Sequence, residues 1–449
     1  MTETADTVRA TGRGCPECGE PVDVGGQYVT WCAACDWNVD PGVRDEETPG
    51  RIERLRRRLA QRYGEQLLAE LSDPATGDAP GTAAGTTADR TRPGTRTGSR
   101  RGTAGVFATA LAVAVHGVTV ALLAGGLWLV FAGRGALPVV GALMIGLAVV
   151  LRPRFGRLPK DGGRRALLRR TDAPRLFALL DDVAGTVGTT GVRAVVIDAD
   201  ANASVRTYGI RQHRVLHIGL GLWEILSPQE RIALLGHEFG HYAHGDTRRS
   251  VLVGAAFQSL GTWRYTLAPV PAQGLAQDFA NLLTALPRLL VDGVLALLEH
   301  LTLRESQRAE YLADSTAARA AGTEAAAGLM DRLLVSGSVA GELRRETVAA
   351  RTRIGGAARR EDPSEGLWER LAAYAAAVPE HEYERLRRVA ERRGHQVDAT
   401  HPPTHLRHRR LTRGAPGGAV LVLDAARAAE VDGELAAVRR SVARELLRG

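Results

Sequence analysis

Ser227-Pro228-Gln229-Glu230-Arg231-Ile232-Ala233-Leu234-Leu235-Gly236-His237-Glu238-Phe239-Gly240-His241 is the stretch on which the reading of the chain turns. Proline after a serine starts a helix well, because its fixed φ suits the first turn and the hydroxyl caps a free N–H. His237 and His241 lie four apart, so both imidazoles leave one face a single turn apart and can grip one metal ion. Glu238 stands beside them, placed to take a proton from water activated by that ion. A zinc site with one open position lowers the pKa of its water to about 7, which suits attack on an amide carbonyl. Ile232, Ala233, Leu234, Leu235 and Phe239 make the helix a buried one, where two unliganded histidines and a glutamate would be costly.

A second helix is predicted further along, in Glu305-Ser306-Gln307-Arg308-Ala309-Glu310-Tyr311-Leu312-Ala313-Asp314. Glu310 and Asp314 are again four apart, which suits a third ligand and a group that orients another ligand. With these residues the sequence resembles the membrane-anchored zinc metalloproteases of the HtpX-like and CaaX prenyl protease type, which are gluzincins. The match includes His237-Glu238-Phe239-Gly240-His241, the following Asp246, Glu310-Tyr311-Leu312-Ala313-Asp314, Asn202-Ala203 ahead of a strand, and His401-Pro402-Pro403 with Arg407 nearby. It covers about half the chain.

The resemblance implies zinc held by His237, His241 and Glu310, with Glu238 as general base. It implies that Asp314 orients the His237 imidazole and that Asp246 belongs to the supporting shell. Asn202 and Ala203 would lie beside the edge strand that holds the substrate backbone. His401 is a candidate residue near the site, and a surface position in its proline-rich loop fits the sequence equally well. His244 and His405 read as exposed rather than as ligands. The group that steadies the oxyanion is left open among a tyrosine, His401 and Arg407.

Upstream, residues 104–132 and 135–151 carry no charged side chain, and about 20 helical residues span a hydrocarbon layer. The two runs read as a transmembrane hairpin turning at Arg134, with His116 as a lone polar group facing the partner helix. Arg92, Arg96, Arg100 and Arg101 precede the pair, and Arg152, Arg154, Arg157, Lys160, Arg164 and Arg165 follow it. By the positive-inside tendency both flanks are cytoplasmic, giving a multi-pass protein of the cell (inner) membrane. Residues 281–303 are apolar on one side but carry Arg288, Asp292 and Glu299 on the other, so an amphipathic helix is expected there rather than a span. Globular pattern begins near Thr171, with a helix at 174–187 and strands at 192–197 and 215–218.

All four cysteines fall in Cys15-Pro-Glu-Cys18 and Cys32-Ala-Ala-Cys35. Paired knuckles at this spacing can close a four-thiolate zinc site, and Tyr28-Val29-Thr30-Trp31 reads as a short strand between them. The first apolar run begins only near Ala104, so no secretory signal is expected before the cysteines. Zinc therefore fits better than disulfides. The metal would be structural, replacing a core that so small a ribbon cannot build. Trp31 and Trp37 read as packing within the ribbon.

The 449 residues have 58 basic and 50 acidic side chains, a formal net charge of +8, and 45% hydrophobic content, which excludes a disordered or fibrous chain. Much of the arginine excess flanks the apolar runs, so membrane lipid rather than nucleic acid is the expected partner of the basic charge. No GxSxG elbow or Walker loop is present, Gly219-Leu220-Gly221 lacks a third glycine, and the ribbon takes every cysteine.

The expected fold is mainly α with a small β-sheet: a zincin-like metalloprotease domain (171–413) with a C-terminal helical extension (414–449). It is preceded by a four-cysteine zinc ribbon (1–45), an amphipathic helix and flexible linker (46–103), and a transmembrane hairpin (104–152). The expected function is zinc-dependent endopeptidase action on membrane or misfolded polypeptides, with a protein partner for the ribbon. The competing reading is a membrane-tethered ribbon protein with an inactive protease fold. The expected metal content is one catalytic and one structural zinc, the first lost in Glu310→Ala and the second on replacing Cys15 and Cys18. Elemental analysis of the three proteins checks this, and metal content insensitive to either change defeats the assignment.

Overall fold

The computed structural model describes residues 13–22, 28–42, 51–72, 103–153, 165–209, 213–243, 246–271, 274–353, 362–394 and 401–448. The linker expected at about 72–103 lies almost wholly outside these residues, as does His244. The architecture is mainly α with a small β-sheet.

The N-terminal ribbon has two short strands, β1 (Arg13–Gly14) and β2 (Pro21–Val22), paired antiparallel around the first knuckle. Tyr28–Trp31 is not a strand, contrary to expectation. Tyr28 turns outward to donate its hydroxyl to Ala377 O at 3.4 Å, and Trp31 is buried, so these residues serve packing rather than a ladder. Trp37 packs on Cys15, Val22 and Cys32.

After helix α1 (Arg51–Ser72) comes the expected hairpin, α2 (Thr103–Ala132) and α3 (Leu137–Leu151). Its helices touch at Gly126 and Gly141, where a Cβ on either would come within 3 Å of the other's carbonyl oxygen. Both present long apolar faces to the surroundings, with Phe107, Trp128, Phe131 and Leu143 exposed.

Next comes the globular part, with β3 (Ala166–Leu168), α4 (Pro174–Val187), β4 (Ala194–Asp198), β5 (Ala203–Tyr208), β6 (His213–Gly219) and the short α5 (Leu220–Trp223). The sheet order is β3-β4-β6-β5, with β4 and β6 parallel and both edge strands antiparallel to their neighbours. Alternation sorts its side chains: Val195, Ile197, Leu216 and Ile218 enter the main core, while Ala194, Val196 and Val215 take the other face.

The helices over the core face are α6 (Pro228–Ala243), the last part of α8 (Leu275–Ala321), and α9 (Thr323–Arg353), α10 (Leu367–Ala376), α11 (Glu380–Arg393), α12 (Thr404–Thr412) and α13 (Ala425–Arg448). The stretch 414–449 is no loose appendage, because Leu423, Val431, Leu435 and Val442 belong to the same core as α4 and α6.

Between α6 and α8 lies α7 (Asp246–Thr266). Residues expected as a separate amphipathic helix and as the Glu310 helix form one continuous α8 of 47 residues. Two of its charged side chains, Arg288 and Asp292, are partly exposed and engage in ion pairs. Arg264 Nε sits 2.9 Å from Asp292, and Arg288 3.8 Å from it, which ties α7 to α8. Leu282, Leu286, Leu289 and Leu290 are exposed. By length and composition α2 and α8 are each long and apolar enough to cross a membrane. Ala112 and Val115 of α2, Ala256 and Trp263 of α7, and Val291 and Leu298 of α8 share one core. His116 bonds the Leu252 carbonyl of α7 at 3.2 Å rather than a group on α3.

A close seam in the globular part joins α6 to α8. A Cβ on Gly236 would stand 3.2 Å from the Ala317 Cα, and one on Gly240 would stand 3.0 Å from the Ala313 Cα. Since backbone, unlike a flexible side chain, cannot step aside, Gly240→Leu is expected to cost about 1–3 kcal/mol. Denaturant unfolding of the detergent-solubilised protein, compared with wild type, checks this.

Candidate metal centre

Helix α6 starts as its sequence requires. Ser227 Oγ accepts from Glu230 N at 3.3 Å, and Glu230 Oε2 accepts from Ser227 N at 2.7 Å, a reciprocal capping box. Leu235 and Phe239 anchor the helix in the core, which turns His237 and His241 toward α8. The two ring nitrogens Nε2 lie 3.3 Å apart. Glu310, on the facing side of α8, reaches both: its Oε2 is 3.4 Å from His237 Nε2 and its Oε1 3.4 Å from His241 Nε2. His401, from the loop before α12, brings its Nε2 to 3.2 Å from the same Oε2. His237, Glu310 and His401 thus form a compact donor set, with His241 against it.

Asp314, one turn beyond Glu310, accepts from His237 Nδ1 at 3.0 Å. Arg407 of α12 holds Asp314 from the other side, through Nε at 2.8 Å and Nη2 at 2.6 Å. Its Nη2 also lies 3.4 Å from His237 Nδ1 and 3.7 Å from Glu310 Oε2. Both Asp314 and Arg407 are almost wholly buried, and such a pair is tolerable only when bidentate and fully engaged.

Electrostatics separates the groups. Burial opposes charge on His237, but Asp314 and Glu310 outweigh it and raise its pKa to about 10. Burial pushes His241 down to about 4, which favours the neutral imidazole. Burial would raise Glu310, yet His237 and the neighbouring histidines bring it to about 2. Asp314 likewise falls below the ordinary carboxylate range, because Arg407 overcomes its burial. Burial pushes Glu238 above that range. Its Oε2 accepts a hydrogen bond from Val205 N on the edge strand β5 at 3.1 Å.

One atom tests whether a cation fits. Glu310 Oε2 is buried and accepts no hydrogen bond, although it faces the nitrogens of His237 and His401. An ionised carboxylate oxygen in that state is costly unless a cation satisfies it. The donor set of imidazole and carboxylate is that of a zinc site.

The ribbon passes a similar test. Sγ of Cys15 lies 3.6 Å from that of Cys35, and Sγ of Cys18 lies 3.6 Å from that of Cys32, with all four mutually close. A disulfide needs about 2.05 Å, whereas the edge of a zinc–thiolate tetrahedron with 2.3 Å bonds is about 3.8 Å. All four cysteines are free thiols.

Residues 172–415, more than half of the chain, match Peptidase family M48. The chain belongs to that family. Its M48 region is similar to a protease HtpX homolog of Pyrobaculum calidifontis, 33% identical over 159 residues, which is 34% of this chain and 44% of the relative. It is also similar to protease HtpX of Pseudomonas putida, 31% identical over 146 residues, 30% of this chain and 47% of the relative. The chain therefore spans less than half the length of these curated relatives. No solved structure matches.

Other expected residues fall as follows. Asn202 is exposed at the start of β5, its Oδ1 accepting from Ala203 N at 2.8 Å and its carbonyl from Gly219 N at 2.8 Å. Asp246 begins α7, and its side chain lies outside the described residues. His405 is buried rather than exposed, because α12 is wedged between α1, α9 and α11. Sequence reasoning missed the glycine seam, although Gly236 and Gly240 at helical spacing beside the histidines are its signal. It also missed the Arg407–Asp314 clamp, which no local spacing reveals. Asp314→Asn keeps the shape and removes the charge that orients His237. Because it also leaves the buried Arg407 without its counter-charge, we expect zinc affinity to fall about 10- to 100-fold by chelator competition and stability to fall by about 3–5 kcal/mol in denaturant unfolding.

Proposed function

We propose that the chain is a membrane-bound zinc endopeptidase that hydrolyses peptide bonds of membrane or misfolded polypeptides on the cytoplasmic side. The observation that carries this reading is the convergence of His237, His241 and Glu310, with a buried carboxylate oxygen that accepts no hydrogen bond although imidazole nitrogens face it. These three residues would hold the catalytic ion, and Cys15, Cys18, Cys32 and Cys35 a structural one. A zinc ion bound there supplies Lewis acidity that polarises a scissile carbonyl and acidifies water.

Glu238 is the general base. Its raised pKa suits it to accept a proton from the attacking water and to pass it to the leaving amine as the C–N bond breaks. The edge position of β5 supports backbone pairing of an extended substrate near Asn202 and Ala203. Val205 N–H already reaches Glu238, which ties that strand to the base. Arg407 is committed to Asp314 and is not free for the oxyanion. His401, with a side chain one-fifth exposed and facing Glu310, is the better placed of the two. Asp314 orients His237, and Asp246 is retained as a supporting residue.

The exposed apolar faces of α2, α3 and α8 support a membrane location. An α2–α3 hairpin that leaves and returns keeps the ribbon and the metal centre on one side, and the flanking arginines support a cytoplasmic placement of that side. The short distances among His237, His241 and Glu310 favour this reading over an inert protease fold.

Glu238→Gln is expected to retain zinc and lose about 10²–10⁴-fold in cleavage of an unfolded polypeptide such as casein, in detergent. Equal cleavage by wild type and variant would falsify the assigned role.

A further inference from the structure

The ribbon does not stand apart from the protease; it grips α11. Four arginines of that helix meet groups that lie within or just beyond the second knuckle, Cys32–Cys35. Arg385 Nη1 donates to Val39 O at 2.9 Å, and Arg388 Nη1 to Ala33 O at 2.7 Å and Asp36 Oδ1 at 2.5 Å. Arg392 Nη2 donates to Asp36 Oδ2 at 2.7 Å, and Arg393 Nε to Asp40 Oδ2 at 2.7 Å. The Arg388 guanidinium also lies over the Trp31 ring, 4.9 Å from its centroid. Isolated exposed ion pairs contribute about 0–1 kcal/mol, so a grip of this kind needs several converging at once.

Their convergence depends on the knuckle. Asp36 and Asn38 sit at φ 60° and 53°, the left-handed region that costs most residues energy. They are held there by Asp36 N to Cys32 O, Cys32 N to Trp37 O, and Asn38 Nδ2 to Thr30 O. With so small an apolar core, the ribbon keeps this turn only while its thiolates are tied together.

The other side of α11 leads to the metal centre. Glu391 accepts from Arg409 of α12 at 2.6 Å, and α12 also carries the buried His405. Between them stands Arg407, which clamps Asp314 and lies against His237. A short, continuous set of contacts therefore runs from the cysteine knuckle through α11 and α12 to the histidine.

We propose that the ribbon is a metal-gated clamp on the protease. While its four thiolates hold zinc, it fixes α11 and α12 and keeps Arg407 and Asp314 set against His237; loss of that zinc frees α11 and loosens the catalytic ligand. The last link rests on the reading of His237 as a zinc ligand. The ribbon thus binds its own chain, and its occupancy sets how firmly the protease retains its ion.

Two full-length variants in detergent test this, neither touching the catalytic residues. Cys32→Ser/Cys35→Ser removes the ribbon metal, and Asp36→Asn/Asp40→Asn keeps the thiolates but removes the charges that α11 grips. Hydrogen exchange of 380–393 and 404–412 is followed by mass spectrometry, and release of the second zinc to a chelator is timed. Both variants are expected to speed exchange in both helices and zinc release, about tenfold for the cysteine variant, as loss of a supporting contact does. Wild-type exchange in α12 and wild-type zinc release in a variant whose α11 is deprotected would overturn the clamp, as would wild-type exchange in α11 of the cysteine variant. If the wild type holds no second zinc, the peptidase reading fails, while the exchange data still decide whether ribbon and helices are coupled.

Discussion

The approach of α6 to α8 at Gly236 and Gly240 governs the site. Histidines on one helix and a glutamate on another can share an ion only if the two backbones come unusually near. Here the glycines let α6 settle against the Cα atoms of Ala313 and Ala317. A side chain at either position would crowd the backbone of α8, the helix that carries Glu310. The alanines of α8 matter for the same reason: Ala313, Ala317 and Ala320 present a nearly smooth surface on the face that meets the glycines. Close packing of this kind is stiff, so the scaffold itself sets where the two imidazoles and Glu310 stand.

That geometry brings carboxylates into a buried place, and the fold answers with arginine. Asp314 survives beneath His237 because Arg407 meets it with two hydrogen bonds, and Arg407 survives because Asp314 takes its charge. A buried pair of this kind adds little net stability against an apolar substitute, but losing one partner costs about 3–5 kcal/mol. Its value lies in direction, since an imidazole fixed at Nδ1 has only one way to point its Nε2. Glu310 Oε2 is deliberately left out of this settlement, and its unsatisfied state is what a cation relieves.

The segments before the M48 domain are built onto it. Helix α1 lays Leu67, Leu68 and Leu71 on Tyr311 and Leu406, immediate neighbours of Glu310 and close to Arg407. Gln307 donates to Ala60 O at 2.9 Å and Tyr311 to Gly64 O at 3.1 Å, so the backbone of α1 is tied to the ligand-bearing helix. Gly64 lets it come close, with Leu406 Cδ1 only 3.0 Å from where a Cβ would stand. Ribbon and α1 thus brace α11, α12 and α8 from outside, while the bundle of α2, α3, α7 and α8 joins the same α8 to the apolar face.

Much was legible from the sequence because it depends on local geometry. Helical spacing alone puts His237 beside His241 and Glu310 beside Asp314, and two CxxC knuckles alone gather four thiols. Ser227, Glu230 and Pro228 fix where α6 begins, and charge-free length marks the hairpin. The continuity of α8, the burial of His405 and the pairing of Arg407 with Asp314 were decided by the tertiary structure. So were the seam at Gly236 and Gly240 and the seat of the ribbon on α11. The physical reason is one of distance along the chain. A period of 3.6 residues orders side chains within a helix, whereas contacts between remote elements depend on shape and charge complementarity that no single helix or knuckle contains.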